Sequence, residues 1–408
     1  MPVSFVVRRA PIPPVGLDPN KTYQDFTLSD GSRVITRDTK TASNQGASLS
    51  LDTFTTGRRY FEIECVDYND QLWAGWADSV FAATDLSLAP GQSVTGNNTA
   101  WQASAQRKFL NGSYDNSAGS LPTDNDIVMC CIDLEFAMVW WGLNGTWFNY
   151  IGDPIGRPDI SLYPHRIFTS SLTGSTIHAA ISGEVGSTYR VKFANSDFTY
   201  TPPDSCYSIV DTIPTPTVPT YNALDPNNKS SSIRIFDGNE TISRGRSFGT
   251  IYAPSILSEY GESTGKKYYE IKTRLGHGYF GIAPASTFNI DTFVGTGNSV
   301  GWHSSDRRMW ANSGWNSQKG TSPTTDDIVM VAFDTATGNI WWGLNGTWFD
   351  GVDPGTGTGP HRTIAGLIGL EVFPAITADE DSYLDVLIRS SQWTYSPPTG
   401  FTEFAYGG

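Results

Sequence analysis

The sequence predicts an all-β protein built from two tandem antiparallel β-sandwich domains. A nine-residue segment occurs at 140–148 and returns unchanged at 341–349, with the sequence WWGLNGTWF. Only 17% of the residues are charged, while there are 41 glycines and 24 prolines, a composition typical of turn-rich β proteins. A chain of 408 residues is too long for one ordinary core and suits two domains.

Each copy of the repeated segment predicts a β-hairpin. Asn-Gly between two apolar runs favours a type I′ turn, because both central residues of that turn need a positive φ. In the second copy this register pairs Gly343 with Trp348, and side-chain alternation then places Trp341 and Trp348 on one face. The first copy repeats the arrangement with Trp140 and Trp147. This face is either buried beneath a neighbouring sheet or loop or exposed as a ligand platform.

The order of motifs is the same in both halves, with offsets that change only between matched blocks. This pattern indicates duplicated domains in which strands are kept and loops change length. The predicted organisation is an extended N-terminal arm at 1–24, domain 1 at 25–210, a linker rich in Pro, Thr and Asn at 211–231, and domain 2 at 232–408. Within domain 2, the apolar run 328–333 predicts a central strand buried on both faces.

The N-terminal arm combines a short apolar run, two arginines and a proline-rich piece that favours extended backbone. An isolated strand must find a sheet edge, either in its own domain or in a neighbouring subunit. The alternatives remain open at this point. The candidate assembly residues are Val3, Phe5, Val7, Arg8 and Arg9.

The charge balance limits the classes of partner. There are 27 basic and 41 acidic residues, for a net charge of -14, which argues against nucleic acid or an anionic membrane as a main partner. No segment is long enough to span a bilayer, and the first residues lack the apolar run of a signal peptide. We therefore expect no membrane insertion and synthesis in a cytoplasm.

The cysteines and histidines predict neither a disulfide framework nor a metal site. All four cysteines lie in the first half, and we expect them to be reduced and buried. The five histidines are scattered without metal-ligand spacing, and surface or loop roles are expected for them. No cofactor or metal is predicted.

The segments around the two hairpins resemble a known family. DDIVMVAFDTATGNIWWGLNGTWF at 326–349 is similar to the strand and hairpin signature of SPRY domains, and NDIVMCCIDLEFAMVWWGLNGTWF at 125–148 matches nearly as well. A Gly-x-x-Tyr-aromatic-Glu-Ile segment precedes each, at Gly57 and at Gly265. The resemblance implies a bent antiparallel sandwich that binds proteins or peptides through loops at one end, without catalysis.

A narrower resemblance concerns the Asp-Pro after each hairpin and the closing aromatic-x-Tyr-x-Pro-Pro-x-Gly-Phe motif at 393–401. These features look like SPRY-like modules of tailed-bacteriophage virion proteins, although the first copy departs from the pattern at 204–207. The resemblance implies a capsid or tail decoration protein, assembled in the host cytoplasm and located in the virion. Its implied partners are capsid, portal, tail or fibre subunits. We also expect a homo-oligomer, for example a trimer. A host-receptor-binding adhesin that recognises a surface glycan or protein is the alternative.

The motifs that could support catalysis have simpler structural explanations, and the protein is predicted not to be an enzyme. The sequence 297–301 fits a nucleophile elbow, but no helix is expected to follow it. The carboxylates Glu62 and Asp126 recur as Glu270 and Asp327, as strand and turn residues would, although a glycosidase pair is the alternative. The repeated Pro-His-Arg is either a recognition triplet or a loop held by a hydrogen-bonded histidine.

Loops that combine aromatic residues with arginine are the candidate binding sites. Such loops have the composition of protein-interaction hot spots and also of sugar-stacking sites. The alternative is that the tryptophans fill the core and the arginines are solvated. The candidate binding residues are Tyr68, Trp101, Arg107, Tyr114, His303, Arg307, Arg308, Trp310 and Trp315.

Overall fold

The two copies of the repeat fold as two units, Met1–Pro214 and Thr215–Gly408. The computed structural model describes residues 15–39, 46–116, 119–149, 156–158, 164, 166–167, 172, 174–213, 221–245 and 254–405. Each unit contains a seven-stranded and a nine-stranded sheet, and pairing is antiparallel except for one short strand per unit. The prediction of an all-β protein with tandem sandwich domains is confirmed.

In unit 1, the seven-stranded sheet has the order β1-β4-β14-β6-β7-β8-β9 and the nine-stranded sheet has β12-β11-β10-β5-β15-β3-β2 as its main path, with β13 and β16 attached. The strands are β1 (Leu17–Thr22), β2 (Phe26–Ser29), β3 (Val34–Arg37), β4 (Ser48–Ser50), β5 (Arg58–Asp67), β6 (Leu72–Asp78), β7 (Asn98–Gln102), β8 (Arg107–Leu110), β9 (Ser113–Asn116), β10 (Ile127–Asp133), β11 (Met138–Leu143), β12 (Thr146–Trp147), β13 (Arg166–Ile167), β14 (Ile177–Gly183), β15 (Thr188–Lys192) and β16 (Tyr207–Ser208).

Unit 2 repeats the plan, with the sheet orders β17-β20-β30-β22-β23-β24-β25 and β18-β19-β31-β21-β26-β27-β28, and with β29 and β32 attached to the second sheet. The strands are β17 (Leu224–Lys229), β18 (Arg234–Phe236), β19 (Thr241–Arg244), β20 (Ser255–Ser258), β21 (Lys266–Leu275), β22 (Gly278–Ala283), β23 (Val300–His303), β24 (Arg308–Ala311), β25 (Gly314–Gln318), β26 (Asp327–Asp334), β27 (Asn339–Leu344), β28 (Thr347–Trp348), β29 (Arg362–Thr363), β30 (Phe373–Ala378), β31 (Ser382–Leu387) and β32 (Phe401–Thr402).

Helices are minor in the described residues. One six-residue α-helix, α1 (Ser79–Thr84), follows β6, and the Asp78 carboxylate caps it by accepting the backbone N–H groups of Val80 and Phe81. Short 3₁₀ turns occur in unit 2 at Phe349–Gly351, Pro354–Thr356, Ala365–Leu367 and Ser390–Gln392. No helix in the described part of the chain is long and apolar enough to cross a membrane.

The main core of each unit lies between its two sheets, and the alternation of strand residues decides which side chains enter it. On β10, Val128, Cys130 and Ile132 enter the main core, whereas Met129 and Cys131 face the other way. That second face of β10 is also buried, since a smaller cluster of aromatic residues covers it. Strand β26 is buried on both faces in the same way, as its continuous apolar run predicts.

The repeated hairpins have the predicted register and turn. Gly343 pairs with Trp348, and Asn345 and Gly346 both have positive φ, 49° and 79°. Trp341 is fully buried, and Trp348 is half-buried in the same cluster. The first copy behaves alike, with Trp140 buried and Trp147 packed beside it. The face shared by these indoles is therefore core, and the alternative of an exposed ligand platform is wrong.

A closing segment covers this hairpin face in each unit, at 198–208 in unit 1 and at 393–402 in unit 2. In unit 2, Trp393, Tyr395 and Phe401 pack with Trp341 and Trp348. A short parallel strand, β32, then joins the segment to β21, as β16 joins its counterpart to β5. The closing segments thus seal the outer side of the nine-stranded sheets over the hairpins.

Two predicted domain boundaries need correction. Strand β1 lies inside the predicted arm 1–24, and its Leu17 is buried in the core of unit 1. Strand β17 lies inside the predicted linker 211–231, with Leu224 buried in the core of unit 2. At the other end of this linker, Asp211 is tied to unit 1, where its carbonyl accepts a hydrogen bond from Arg59 at 2.7 Å.

Strands β1 and β17 both carry the sequence Leu-Asp-Pro-Asn, whose proline is tolerated because each strand lies at a sheet edge. The arm residues Val3 to Arg9 lie outside the described residues.

The close packing of the hairpin strands makes Gly343 a test of this architecture. A Cβ atom there would lie 2.8 Å from the Thr347 carbonyl oxygen and 2.4 Å from Met330 Cε. We expect Gly343→Ala to lower the free energy of unfolding of unit 2 by about 2 kcal/mol, measured by urea denaturation.

The matched control for this variant is Gly366→Ala. At Gly366 the nearest atom to an added Cβ is Asn298 Oδ1, at 3.9 Å. This substitution should change the stability by no more than about 0.5 kcal/mol. Equal stability of both variants would show that the hairpin strands are not packed as described.

Candidate binding site on the edge hairpins

The last two strands of each seven-stranded sheet form a hairpin at the sheet edge. In unit 1 this edge hairpin is β8-β9 and in unit 2 it is β24-β25. No strand pairs with the outer side of β9 or β25 among the described residues. Each edge hairpin therefore presents both a row of backbone hydrogen-bonding groups and the outer face of its sheet.

Strand register brings two aromatic residues together on the outer face of each edge hairpin. Phe109 pairs with Tyr114 in unit 1, and Trp310 pairs with Trp315 in unit 2. Their neighbours along the strands, such as Leu110, point into the main core instead. Tyr114 lies 5.3 Å from Phe109 between ring centroids. The outer member of each pair is exposed, 51% for Tyr114 and 53% for Trp315.

An arginine stacks on the exposed ring of each edge hairpin. The Arg107 guanidinium carbon lies 4.4 Å from the centroid of Tyr114, and that of Arg308 lies 4.0 Å from the centroid of Trp315. A cation over an aromatic face at this distance is attracted by about 0.5–1 kcal/mol at an exposed site. We call each such combination an Arg–aromatic pair. It orders the exposed ring and one positive charge as a unit.

In unit 2, acidic and aromatic neighbours support the Arg–aromatic pair. Asp306 Oδ2 lies 3.6 Å from Arg308 Nη1, and the Asp306 Oδ1 atom accepts the Arg308 backbone N–H at 3.0 Å. Trp310 is half-buried and meets Phe293 edge to face at 5.0 Å. Asp306 thus helps to fix the Arg308 guanidinium, while the Trp315 ring stays exposed.

His303 belongs to the support of this site and not to its exposed surface. The ring stacks on Tyr279 with centroids 4.0 Å apart, and Nε2 lies 3.0 Å from Asp379 Oδ2. Its Nδ1 lies 2.9 Å from Asp306 Oδ1. Burial, with the nearby aspartates, raises the pKa of the Tyr279 hydroxyl, so this residue stays neutral. His303 therefore links β23 to the acidic residues on either side.

Three other predicted binding residues have different environments. Trp101 is fully buried in the main core of unit 1, so its place among the binding residues is corrected: its strand position points inward. Tyr68 is half-buried beside that core, and its hydroxyl donates to the Asp70 carbonyl at 3.0 Å. Arg307 occupies the turn before β24 with a φ of 63° and donates to Gln318 Oε1 at 3.2 Å.

Sequence reasoning missed three residues that shape these sites. Phe109 packs under Tyr114, and Tyr279 and Asp379 hold His303. The repeat offset of 201 residues at the hairpins would have aligned Arg107 with Arg308 and Tyr114 with Trp315. No sequence signal connects Asp379 with His303, because the two residues lie 76 positions apart.

The recurrent carboxylates serve the fold. Asp327 accepts hydrogen bonds from Thr324 N and Oγ1 and from Asn345 Nδ2, which fixes the hairpin turn, and Asp126 does the same in unit 1. These hydrogen bonds lower the pKa of both aspartates despite partial burial. Each of these carboxylates is already committed to a turn.

The segment whose sequence fits a nucleophile elbow forms a turn, as expected from the lack of a following helix. Ser299 is buried, donates to the Thr296 carbonyl at 2.6 Å and accepts the Gly295 N–H at 2.7 Å. A strand, β23, follows it, and no helix does. The described residues also contain no group of three or more His, Cys, Asp or Glu side chains suited to a metal ion.

His361 and His178 both have polar partners within the fold. His361 Nδ1 accepts the Trp342 N–H at 2.9 Å and Nε2 donates to the Phe349 carbonyl at 3.1 Å, which favours the predicted loop-holding role over a recognition triplet. His178 was expected in a surface or loop role, but it lies buried in β14 with Nδ1 2.9 Å from the Ser50 carbonyl oxygen. His165, in the first Pro-His-Arg, lies outside the described residues.

Comparison with known proteins gives structural neighbours but no sequence family. No family model matches the chain, and no curated protein matches it in sequence. Similar solved structures include the SPRY domain of human HERC1, at 16% identity and a TM-score of 0.33, which covers 46% of this chain and 100% of that domain. The TRIM65 PSpry domain is 13% identical with a TM-score of 0.31 and covers 44% of this chain and 91% of that domain.

Both neighbours are SPRY domains. Neither comparison supports the predicted bacteriophage origin.

The neutral form of His361 gives unit 2 a specific pH dependence. Burial lowers the pKa of His361 below its usual value of about 6.5. In the unfolded chain, His361 takes up a proton as the pH falls below about 6.5, whereas in the folded unit it does so only at lower pH. The free energy of unfolding is therefore highest above about pH 6.5 and declines below it. We expect the free energy of unfolding of unit 2 to fall between pH 7 and pH 5.

The variant His361→Asn should be less stable than the wild type at pH 7 and should lose part of this slope. Urea denaturation followed by tryptophan fluorescence at both pH values measures the difference. An unchanged slope in the variant would show that His361 is not the group that titrates.

Proposed function

We propose that the protein is a non-enzymatic interaction protein in which each unit binds a protein partner through its edge hairpin. The observation that carries this proposal is the recurrence of one exposed Arg–aromatic pair at equivalent positions in both units. An exposed indole or phenol is not required by the fold, since the cores are already closed by other residues. Aromatic residues and arginine are the residue types that dominate protein-binding hot spots.

The geometry favours an extended protein segment over a saccharide. One face of each exposed ring is already occupied by its own arginine, which leaves less surface for a sugar ring to stack on. Strands β9 and β25 lie at sheet edges, where an added strand can satisfy their backbone groups. The arginine at each site would favour an acidic residue in a bound segment, although the chain as a whole carries a net charge of -14.

The setting we propose for this function is the virion of a tailed bacteriophage. The closing motif at 393–401 and the Asp-Pro after each hairpin support it through their resemblance to SPRY-like virion modules. The first residues of the chain would anchor the protein to capsid, portal, tail or fibre subunits, or to sister subunits in a homo-oligomer such as a trimer. The edge hairpins would then face outward as decoration.

A host-surface adhesin is the second candidate. It is favoured by the 53% exposure of Trp315, because a large exposed aromatic ring can also recognise a saccharide. An adhesin would bind host glycan or protein, whereas a decoration protein would bind its own virion.

Loss of the exposed rings should weaken binding of a protein segment. A random peptide library is selected on the immobilised full chain, and the Kd of each enriched peptide is measured by calorimetry. The double variant Tyr114→Ala/Trp315→Ala should weaken binding roughly 30-fold, the effect of losing a hot-spot residue of about 2 kcal/mol. Backbone N-methylation of the peptide should also weaken binding, because it blocks strand pairing.

The matched controls are Leu121→Ala and Ile368→Ala, which remove similarly exposed apolar side chains elsewhere in each unit. They should bind peptides as the wild type does. Unchanged peptide affinity in the double variant would contradict the proposal. Binding to a glycan panel that disappears with Trp315→Ala would instead support the adhesin.

Assembly through the first residues can be tested separately with a truncation that respects the fold. Deletion of residues 1–14 removes Val3, Phe5, Val7, Arg8 and Arg9 but keeps Leu17 in the core. Light scattering should show an oligomer for the full chain and a monomer for the truncated chain, with unchanged melting of unit 1. An oligomer that survives the truncation would contradict the proposed role of these residues.

A further inference from the structure

Two of the four cysteines meet in the cluster beneath the closing segment of unit 1. Cys131 projects from β10, and Cys206 lies in the closing segment just before β16. Their sulfur atoms are 2.9 Å apart, both residues are buried, and no disulfide joins them. Cys65 and Cys130 lie in the main core instead, on the other side of the nine-stranded sheet.

The second unit shows that the fold does not need this thiol pair. Cys131 pairs across the sheet with Tyr60, as Ala332 pairs with Tyr268. The parallel strands β16 and β32 have matching registers on β5 and β21, which makes Phe401 the equivalent of Cys206. Unit 2 therefore fills the same place with an alanine and a phenylalanine, and its Phe401 ring packs 6.1 Å from Trp341.

We propose that Cys131 and Cys206 are a modification site that forms an intramolecular disulfide by exchange with a small-molecule disulfide of the oxidised glutathione class. One cysteine thiolate attacks the small disulfide, which forms a mixed disulfide and releases one small thiol. The second cysteine attacks the bound protein sulfur and releases the other small thiol. The two cysteines are oxidised, the small disulfide is reduced, and the two protein protons end on the two released thiols.

The geometry requires little movement for this reaction. Bonded sulfurs lie about 2.05 Å apart, so the two atoms must approach by about 0.9 Å. Cys206 is the residue nearer to solvent, at 7% exposure against 0% for Cys131, and we therefore expect its thiolate to attack the small disulfide in the first step. Burial beside Cys206 raises the pKa of Cys131 well above its usual range, so the second step should be slow at neutral pH and faster at higher pH.

The disulfide would fasten the closing segment to β10 across a separation of 75 residues. A cross-link over a loop of this length stabilises a fold mainly by restricting the unfolded chain. Unit 2 contains no cysteine and cannot respond, so it serves as an internal reference in every measurement.

The experiment exposes the reduced, folded full chain to oxidised glutathione and measures its intact mass, its peptide map and its melting. We expect loss of two hydrogens, a single cross-linked peptide that joins Cys131 to Cys206, and a rise of roughly 10 °C in the melting temperature of unit 1 alone. Dithiothreitol should reverse all three changes.

Two variants separate the disulfide from other causes. Cys131→Ala/Cys206→Phe copies the pair found in unit 2 and should show no mass change and no shift on oxidation. Cys65→Ala/Cys130→Ala keeps only the proposed pair and should respond as the wild type does. If either variant fails to fold, the peptide map of the wild type still decides. Full alkylation of Cys131 and Cys206 after oxidant treatment, or a cross-link between any other pair, would overturn the proposal.

Discussion

In each unit, the hydrogen bonds of one buried carboxylate hold the closing segment in place, and the packing over the hairpin face depends on them. Glu270 is fully buried, and its Oε1 atom accepts the Tyr268 hydroxyl at 2.7 Å and the Tyr395 N–H at 2.9 Å, while Oε2 accepts the Thr394 N–H at 2.7 Å. Glu62 accepts the equivalent three hydrogen bonds in unit 1. A buried carboxylate is tolerated when several donors converge on it. Two of the donors belong to the closing segment, so the buried side chain and the segment stabilise each other.

This anchoring explains why the repeated hairpin is core and not a ligand platform. The closing segment is held at its start by the carboxylate and at its end by a parallel strand on β21. Between those points Tyr395 lies over the turn, where its ring comes within 2.8 Å of the position that a Cβ on Gly346 would occupy. The most conspicuous aromatic sequence in the chain is therefore used for packing. The exposed aromatic residues lie on the other sheet, at the edge hairpins.

The sequence predicted features that depend on local chemistry and missed those that depend on distant contacts. The turn and register of the hairpins follow from Asn-Gly and side-chain alternation, and both are observed. The boundaries near Leu17 and Leu224 were misplaced because a proline between polar residues indicates a linker unless the strand is known to lie at an edge. Trp101 was misassigned because composition alone does not say which face of a strand a residue occupies. The meeting of Cys131 with Cys206 has no local signal at all.

Comparison of equivalent positions in the two units distinguishes residues that are needed for the fold from residues that have another role. Features present in both units and buried, such as the Glu270 and Asp327 hydrogen bonds with their counterparts, are explained by packing and turn formation. The Arg–aromatic pairs are also present in both units, but they are exposed, so packing does not account for their recurrence. A buried feature found in one unit only, the thiol pair, is not a requirement of the fold either, because alanine and phenylalanine fill its place. A feature that is repeated in both units therefore indicates a function when its residues are exposed. A feature found in one unit only indicates a function when its residues are buried.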